Sequence, residues 1–299
     1  MAVAGFWIAC SGRLVTVEAA PQELSTAVCD KLNSCTPASI AQIFGDVATC
    51  KARSAISLKS TFTAPGTSVT SAQLGSCFDA IQSASCADLS NGNATLVACE
   101  FKGTLPNATA CAVSPQCQSG YCSISIESSS MNNCGKCATR VALGGDCVTT
   151  ACETNLFCDN VSRKCVARPK AGEACTSTTW CAAGTTCIGA KCSAPLGENA
   201  DCSASPGGCD SALGLTCNAS TKKCAKVSFA SAGQDCGMVS GQYVSCVGTN
   251  YCALATGTAS GKCTTSPKEP EDCTTSCLTP AQCNPTTKKC EIFDPATCK

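Results

Sequence analysis

The side chain with chemical reach in this sequence is the thiol. Thirty-three cysteines stand among 299 residues, and histidine is absent. Thiols at this density can pair as disulfides, hold a metal as thiolates, or exchange electrons through a reactive C-x-x-C pair. A single C-x-x-C occurs, Cys134-Gly-Lys-Cys137. Redox work there would need a low-pKa thiolate at a helix N-terminus, usually in a βαβ setting, and no flanking pattern reads that way. Zinc held by cysteine alone needs paired C-x-x-C knuckles, and iron–sulfur clusters need their own short spacings; both are missing. The lack of histidine removes Ser-His-Asp hydrolysis, Cys-His proteolysis and His-ligated zinc. A glycosidase carboxylate pair needs no histidine, but the 21 acidic residues are dispersed and no pair stands out. No catalytic, cofactor-binding or metal-ligating residue is therefore assigned, and no cofactor is expected. Disulfide pairing in an oxidising compartment is the chemistry the composition supports.

The elements that must position these sulfurs are small. Aromatic residues make up only 4% of the chain, too few to fill large cores, and loop-rich units without a core need staples. Net charge is zero with a pI near 6.3, which gives no electrostatic reason to expect nucleic acid or an anionic membrane as partner.

Residues 20–103 carry helical spacing. Leu24, Val28, Leu32 and Cys35 share one face. Thr36-Pro37 reads as an N-cap followed by Pro at the first helical position, Gly45 closes that helix, and Ile40, Ile43 and Phe44 form its buried side. Asp46 is placed to cap a third helix carrying Val47, Cys50 and Leu58. Thr70 and Gln73 form a capping box, with Val69 and Leu74 as hydrophobic staple. Leu74, Cys77, Phe78 and Ile81 then make an apolar stripe, read as core and not as a ligand groove. The expectation is an all-α bundle of three or four helices crosslinked through Cys29, Cys35, Cys50, Cys77, Cys86 and Cys99.

From residue 104 to 299 the pattern changes to Cys-bounded loops, and the chain repeats itself. Five units are complete. The first of them holds Cys147, Cys152, Cys158 and Cys165, and the next Cys175, Cys181, Cys187 and Cys192. Then come Cys202, Cys209, Cys217 and Cys224, followed by Cys236, Cys246, Cys252 and Cys263. The last holds Cys273, Cys277, Cys283 and Cys290. An earlier unit, with Cys111, Cys117, Cys122 and Cys137, contains the extra Cys134. All of these are read as structural disulfide partners. Lysine precedes the last Cys of every unit: Lys136, Lys164, Lys191, Lys223, Lys262 and Lys289. Asp146, Asp201, Asp235 and Asp272 precede the first Cys of four. We read these charges as solvating exposed strand ends through weak surface pairs, in preference to a periodic binding strip. Gly144, Gly172 and Gly233, three before the first Cys, mark turns with positive φ. The segment between third and fourth Cys reads as a hairpin with Asn turns. Tyr121, Phe157, Trp180 and Tyr251, each just before a central Cys, are expected to supply one core aromatic per unit. Four cysteines allow three pairings and sequence alone does not choose; first-to-third with second-to-fourth is the pairing we favour. Cys134 and Cys298 are left over and are expected to join neighbouring segments. The units run about 104–137, 138–165, 166–192, 193–224, 225–263 and 264–299. Pro169, Pro195, Pro267 and Pro270 stiffen their connectors.

Residues 1–19 read as the tail of an export signal. Apolar and small residues lead to Cys10, which is expected either to become the lipidated first residue of a lipoprotein or to be an ordinary residue of that tail. Trp7 stands where such lipidation sites usually carry Leu. Removing Cys10 leaves an even number of cysteines. Four N-x-S/T sequons, at Asn93, Asn107, Asn160 and Asn218, are glycan acceptors in a eukaryotic host.

The run Gly103-Thr-Leu-Pro-Asn-Ala-Thr-Ala-Cys111 with Pro115-Gln-Cys117-Gln-Ser-Gly-Tyr-Cys122 resembles the exported Cys-rich proteins of myxobacteria. So do Cys29-Asp-Lys-Leu-Asn-Ser-Cys35 and Asp294-Pro-Ala-Thr-Cys298. The single units resemble the Dickkopf-type N-terminal Cys-rich module in Cys spacing. These resemblances imply an extracellular disulfide-bonded fold and supply no catalytic site. The fold class expected is thus small disulfide-rich: a crosslinked all-α bundle leading into an elongated array of tandem four-Cys, hairpin-containing repeats. The function expected is a non-enzymatic scaffold, spacer or binding protein, secreted or on the outer cell surface. Its partner would be an extracellular protein or glycan, not nucleic acid, and a membrane only through the lipid anchor. A secreted hydrolase inhibitor, its rigid loops pre-organised by disulfides, is the alternative. An enzyme or a thiolate metal binder ranks last.

Overall fold

The computed structural model describes residues 13–90, 96–124, 134–176, 178–254, 257–274 and 277–299. It opens with a helical head: α1 (Ala20–Cys35), α2 (Pro37–Ile43), α3 (Val47–Thr63), α4 (Ser71–Ser83) and the short α5 (Cys86–Ser90). Asp46 accepts the Thr49 N–H at 2.7 Å, and Thr70 and Gln73 close a reciprocal capping box, so both start signals act as their types dictate. Thr36 behaves differently. Its hydroxyl donates back to the Leu32 carbonyl at 3.1 Å and does not cap α2. Ile43, expected to be buried, is 53% exposed, because the last turn of α2 offers only Ile40 to the core. Leu24, Leu74, Phe62, Ile81 and Phe101 form the centre of the head, with Phe62 and Phe101 packed edge to face at 5.6 Å. Val15, upstream of α1, is fully buried among them. The bridges Cys29–Cys50, Cys35–Cys86 and Cys77–Cys99 tie α1 to α3, α1 to α5, and α4 to the 97–99 turn.

Each repeat is one hairpin plus one docked segment. Leu156–Asp159 pairs with Lys164–Ala167, Thr186–Ile188 with Lys191–Ser193, Leu215–Cys217 with Cys224–Lys226, and Ala281–Cys283 with Cys290–Ile292, all antiparallel. The first unit is a three-stranded sheet and the fifth a five-stranded one. In every unit the third Cys faces the fourth across the hairpin, as Cys158 faces Cys165 and Cys187 faces Cys192. Facing partners do not bond to each other. The third Cys reaches the first through Cys111–Cys122, Cys147–Cys158, Cys175–Cys187, Cys202–Cys217, Cys236–Cys252 and Cys273–Cys283. The fourth reaches the second through Cys117–Cys137, Cys152–Cys165, Cys181–Cys192, Cys209–Cys224, Cys246–Cys263 and Cys277–Cys290. This is the pairing favoured from sequence.

The positive-φ position three before the first Cys explains how the incoming chain docks. Gly144, Gly172 and Gly233 all have φ between 78° and 86°, and each donates its N–H to the carbonyl of its unit's last Cys at 2.7–2.8 Å. Asn199 and Ala108 do the same without being glycine. Inside the hairpin, Asp159, Asn218 and Asn284 follow the third Cys and accept two N–H bonds each from the turn. The third unit has a tighter turn, with Gly189 and Ala190 both at positive φ.

The unit cores are the disulfides themselves. Cys111, Cys117, Cys165, Cys192, Cys202, Cys224 and Cys236 have no exposed surface. Not every sulfur is sealed to that degree. Cys187 is only partly buried while its hairpin partner Cys192 is fully so. The docked segment pairs with the strand of the fourth Cys, as Ala174 does with Lys191, and leaves the strand of the third Cys on the edge. Cys277 is also partly buried, although second Cys residues such as Cys152 and Cys209 are buried. Three residues separate it from Cys273, the shortest such loop of any unit.

The aromatics expected in the cores lie outside them. Trp180 is 58% exposed, and Tyr121 and Phe157 are half-buried. A pair of bridges already fills so small an interior, leaving no room for a ring. Tyr121 and Trp180 are covered by the guanidinium groups of Arg140 and Arg168 instead, at 4.8 and 5.2 Å.

The array is not elongated. Cys134 and Cys298, expected to bridge to neighbouring segments, bond to each other across a separation of 164 residues. The last unit thereby returns to the first, and the tandem repeats close around the helical head.

Candidate binding surface

The closed arrangement is built from contacts of each unit with the head. Thr104 of the first unit donates its N–H to the Gly66 carbonyl, and the Gln116 amide reaches the Pro65 carbonyl at 2.7 Å. Thr154 of the second bonds to the Glu100 carboxylate at 2.7 Å. Gly184 of the third lies so near α5 that an added Cβ would sit 3.3 Å from Ala87 Cβ. Gly214 of the fourth rests on α2 still more closely, where a Cβ would come within 2.3 Å of Ala38 Cβ. Gly248 of the fifth donates its N–H to the Ala41 carbonyl at 2.8 Å, and its backbone abuts Phe44 and Gly45.

The sixth contact is the strongest. Arg53, on α3 and only 10% exposed at its side chain, forms a bidentate pair with Glu269 at 2.6 and 2.9 Å. It also donates to the carbonyls of Thr279 and Leu278. Hydrogen bonding from Arg53 holds the Glu269 carboxyl below the ordinary carboxylate range. Sequence reasoning missed Arg53, Glu269, Gly214 and Gly248. Their partners lie far away in sequence, so local spacing carries no signal of the pairing.

The residues singled out by sequence fall as follows. Cys10 and Asn93 lie outside the described residues. Every other cysteine is bridged, the partly buried Cys187 and Cys277 included. Cys134 and Cys137, the C-x-x-C pair, do not bond to each other; Cys137 joins Cys117. Groups of three sulfurs such as Cys147, Cys152 and Cys165 lie within 4.8 Å of one another, but as disulfide sulfurs they offer no thiolate. In the four units that carry both, the Asp and Lys are cross-strand partners: Asp146 with Lys164, Asp201 with Lys223, Asp235 with Lys262, Asp272 with Lys289. Ion pairs of 2.9 and 2.6 Å close in the last two. Ala110 and Ala174 stand opposite Lys136 and Lys191 in the two units without Asp. The charge periodicity is thus a by-product of strand register on an exposed edge. Asn107 and Asn160 are exposed. Asn218 is buried with its carbonyl oxygen committed to the hairpin turn.

A protein of Heterostelium pallidum, the "Cell-cell adhesion glycoprotein 64", is 30% identical to this chain over 207 residues. The match takes in 61% of this chain and 63% of that protein, so the chain spans less than two thirds of that relative's length. No protein-family profile and no solved structure matches. This is a cysteine-rich, disulfide-crosslinked protein of tandem repeats, of extracellular type. Among the described residues no helix is long and apolar enough to cross a membrane. The likeness of the units to Dickkopf-type modules stays a likeness of Cys spacing.

Proposed function

We propose that this protein is a non-enzymatic binding module of the cell surface or extracellular space. Its turns would be held as a rigid, pre-organised display for a partner protein or glycan. The observation that carries this reading is the closure of six stapled units onto one head by Cys134–Cys298 and the Arg53–Glu269 lock. A flexible spacer has no need of either. Fixing a surface before it meets a partner lowers the ordering cost of binding. Exposed apolar side chains on turns, including Val161 and Leu143, give such a surface its contact points. The adhesive role printed in the relative's name agrees with this reading.

The test is a bead assay with the oxidised protein immobilised at one end. Beads coated with it should cluster with themselves or bind a defined glycan or surface-protein panel, and reduced, alkylated protein should lose the effect. Absence of any clustering or binding by the oxidised protein would count against a binding role.

A further inference from the structure

The head holds a cavity of about 470 Å³ that the proposed display surface does not use. It lies between α1, α3 and α4, beneath the 96–101 segment, with Pro115 of the first unit at its rim. Its walls are almost wholly hydrocarbon and sulfur. The single hydroxyl among the lining residues is that of Thr61, and it already donates to the Ser57 carbonyl at 3.0 Å. Such walls offer water few partners and suit an apolar guest.

The pocket is also pre-formed. The Cys77–Cys99 bridge fixes one wall, and the edge-to-face pair of Phe62 and Phe101 fixes another. Small-molecule sites run from about 300 to 1,000 Å³ with mostly apolar linings, and this volume falls in that range.

We infer that the head binds one molecule of an apolar lipid, its hydrocarbon portion inside the pocket and its polar group left at the mouth. An acyl chain and a sterol skeleton share the chemistry these walls recognise. The site is separate from the proposed display surface, so either can fail alone.

The test uses the intact oxidised chain with two fluorescent probes, cis-parinaric acid for acyl chains and dehydroergosterol for sterols. The expected result is saturable binding of one or both at one molecule per chain, the brighter and tighter probe naming the source. Thr61→Phe puts a ring into the cavity and should weaken binding at least tenfold while leaving the melting temperature unchanged or higher. Val148→Ala, at an exposed position of the second unit, should leave binding as it was. Native mass spectrometry of the wild-type protein with the same probes gives the stoichiometry without relying on any variant. No bound probe, several weakly bound probes per chain, or full binding by Thr61→Phe would each overturn the inference.

Discussion

Replacing Arg53 by Met should unfasten the last repeat from the head. Met keeps most of the side chain's length and apolar contact but removes all four hydrogen bonds, two of them to an ionised carboxylate. Stripping one partner from a fully buried ion pair costs about 3–5 kcal/mol. Glu269 keeps some access to water, with 29% of its side chain exposed, so about 2–3 kcal/mol is the fitting figure for this lock. At about 1.4 kcal/mol per decade, that is a roughly 30- to 150-fold rise in the population of the undocked form.

The reporter is one amide. The Gly248 N–H bonds to the Ala41 carbonyl across the interface, so its hydrogen exchange follows undocking. Motion of the sixth unit reaches it through the connector, because Ser266 N–H bonds to Thr249 and Leu278 N–H bonds to Pro267. The Cys134–Cys298 clasp tethers the undocked unit and raises its effective concentration. The full effect is therefore expected when both cysteines are Ser, and less than about a tenth of it with the clasp closed. If Arg53→Met changes Gly248 exchange by less than about threefold in the clasp-free background, the lock reasoning is wrong.

The same lock should respond to acid. The folded-state pKa of Glu269 lies below its ordinary value of 4.5, so its contribution is complete above that value and is lost as pH falls through the depressed one. Gly248 exchange, corrected for its intrinsic pH dependence, should accelerate below pH 4.5 in the wild type and show no such step in Arg53→Met. Gly214→Ala and Gly144→Ala separate backbone strain from docking, since both glycines have positive φ but only Gly214 has a neighbour in the way. Calorimetry should show a loss of about 1 kcal/mol for Gly144→Ala and about 2–4 kcal/mol for Gly214→Ala. Equal losses would mean that the fourth unit does not bear on α2. Asp272→Asn removes an exposed pair and should move the melting temperature by less than about 2 °C, an effect that salt abolishes. A larger shift would revive a structural role for the charge repeat.

The sequence by itself carried the local signals of each element and, in its cysteine count, the disulfide-rich character of the chain. Asp46 and the Thr70/Gln73 box cap their helices because a cap is settled within four residues. The turn glycines and the Asn residues of the hairpins act where they stand for the same reason. The bridge pairing within a unit was open among three choices on sequence grounds. The hairpin register sets third and fourth Cys opposite each other without bonding them, and the fold of the docked segment brings the first Cys to the third and the second to the fourth.

Tertiary structure decided the rest. Trp180 and Tyr251 looked like core residues, but two disulfides consumed the interior and left the rings at the surface. Cys187 and Cys192 looked equivalent, and only the docked segment's choice of strand sealed one and left the other at an edge. Cys134 and Cys298 looked like isolated leftovers and became the clasp, and Arg53 looked like one more polar residue on a helix until Glu269 arrived from the other end of the chain. Repeats that contact only their neighbours give an open array. A closed one depends on contacts between residues far apart in sequence, which no local pattern records.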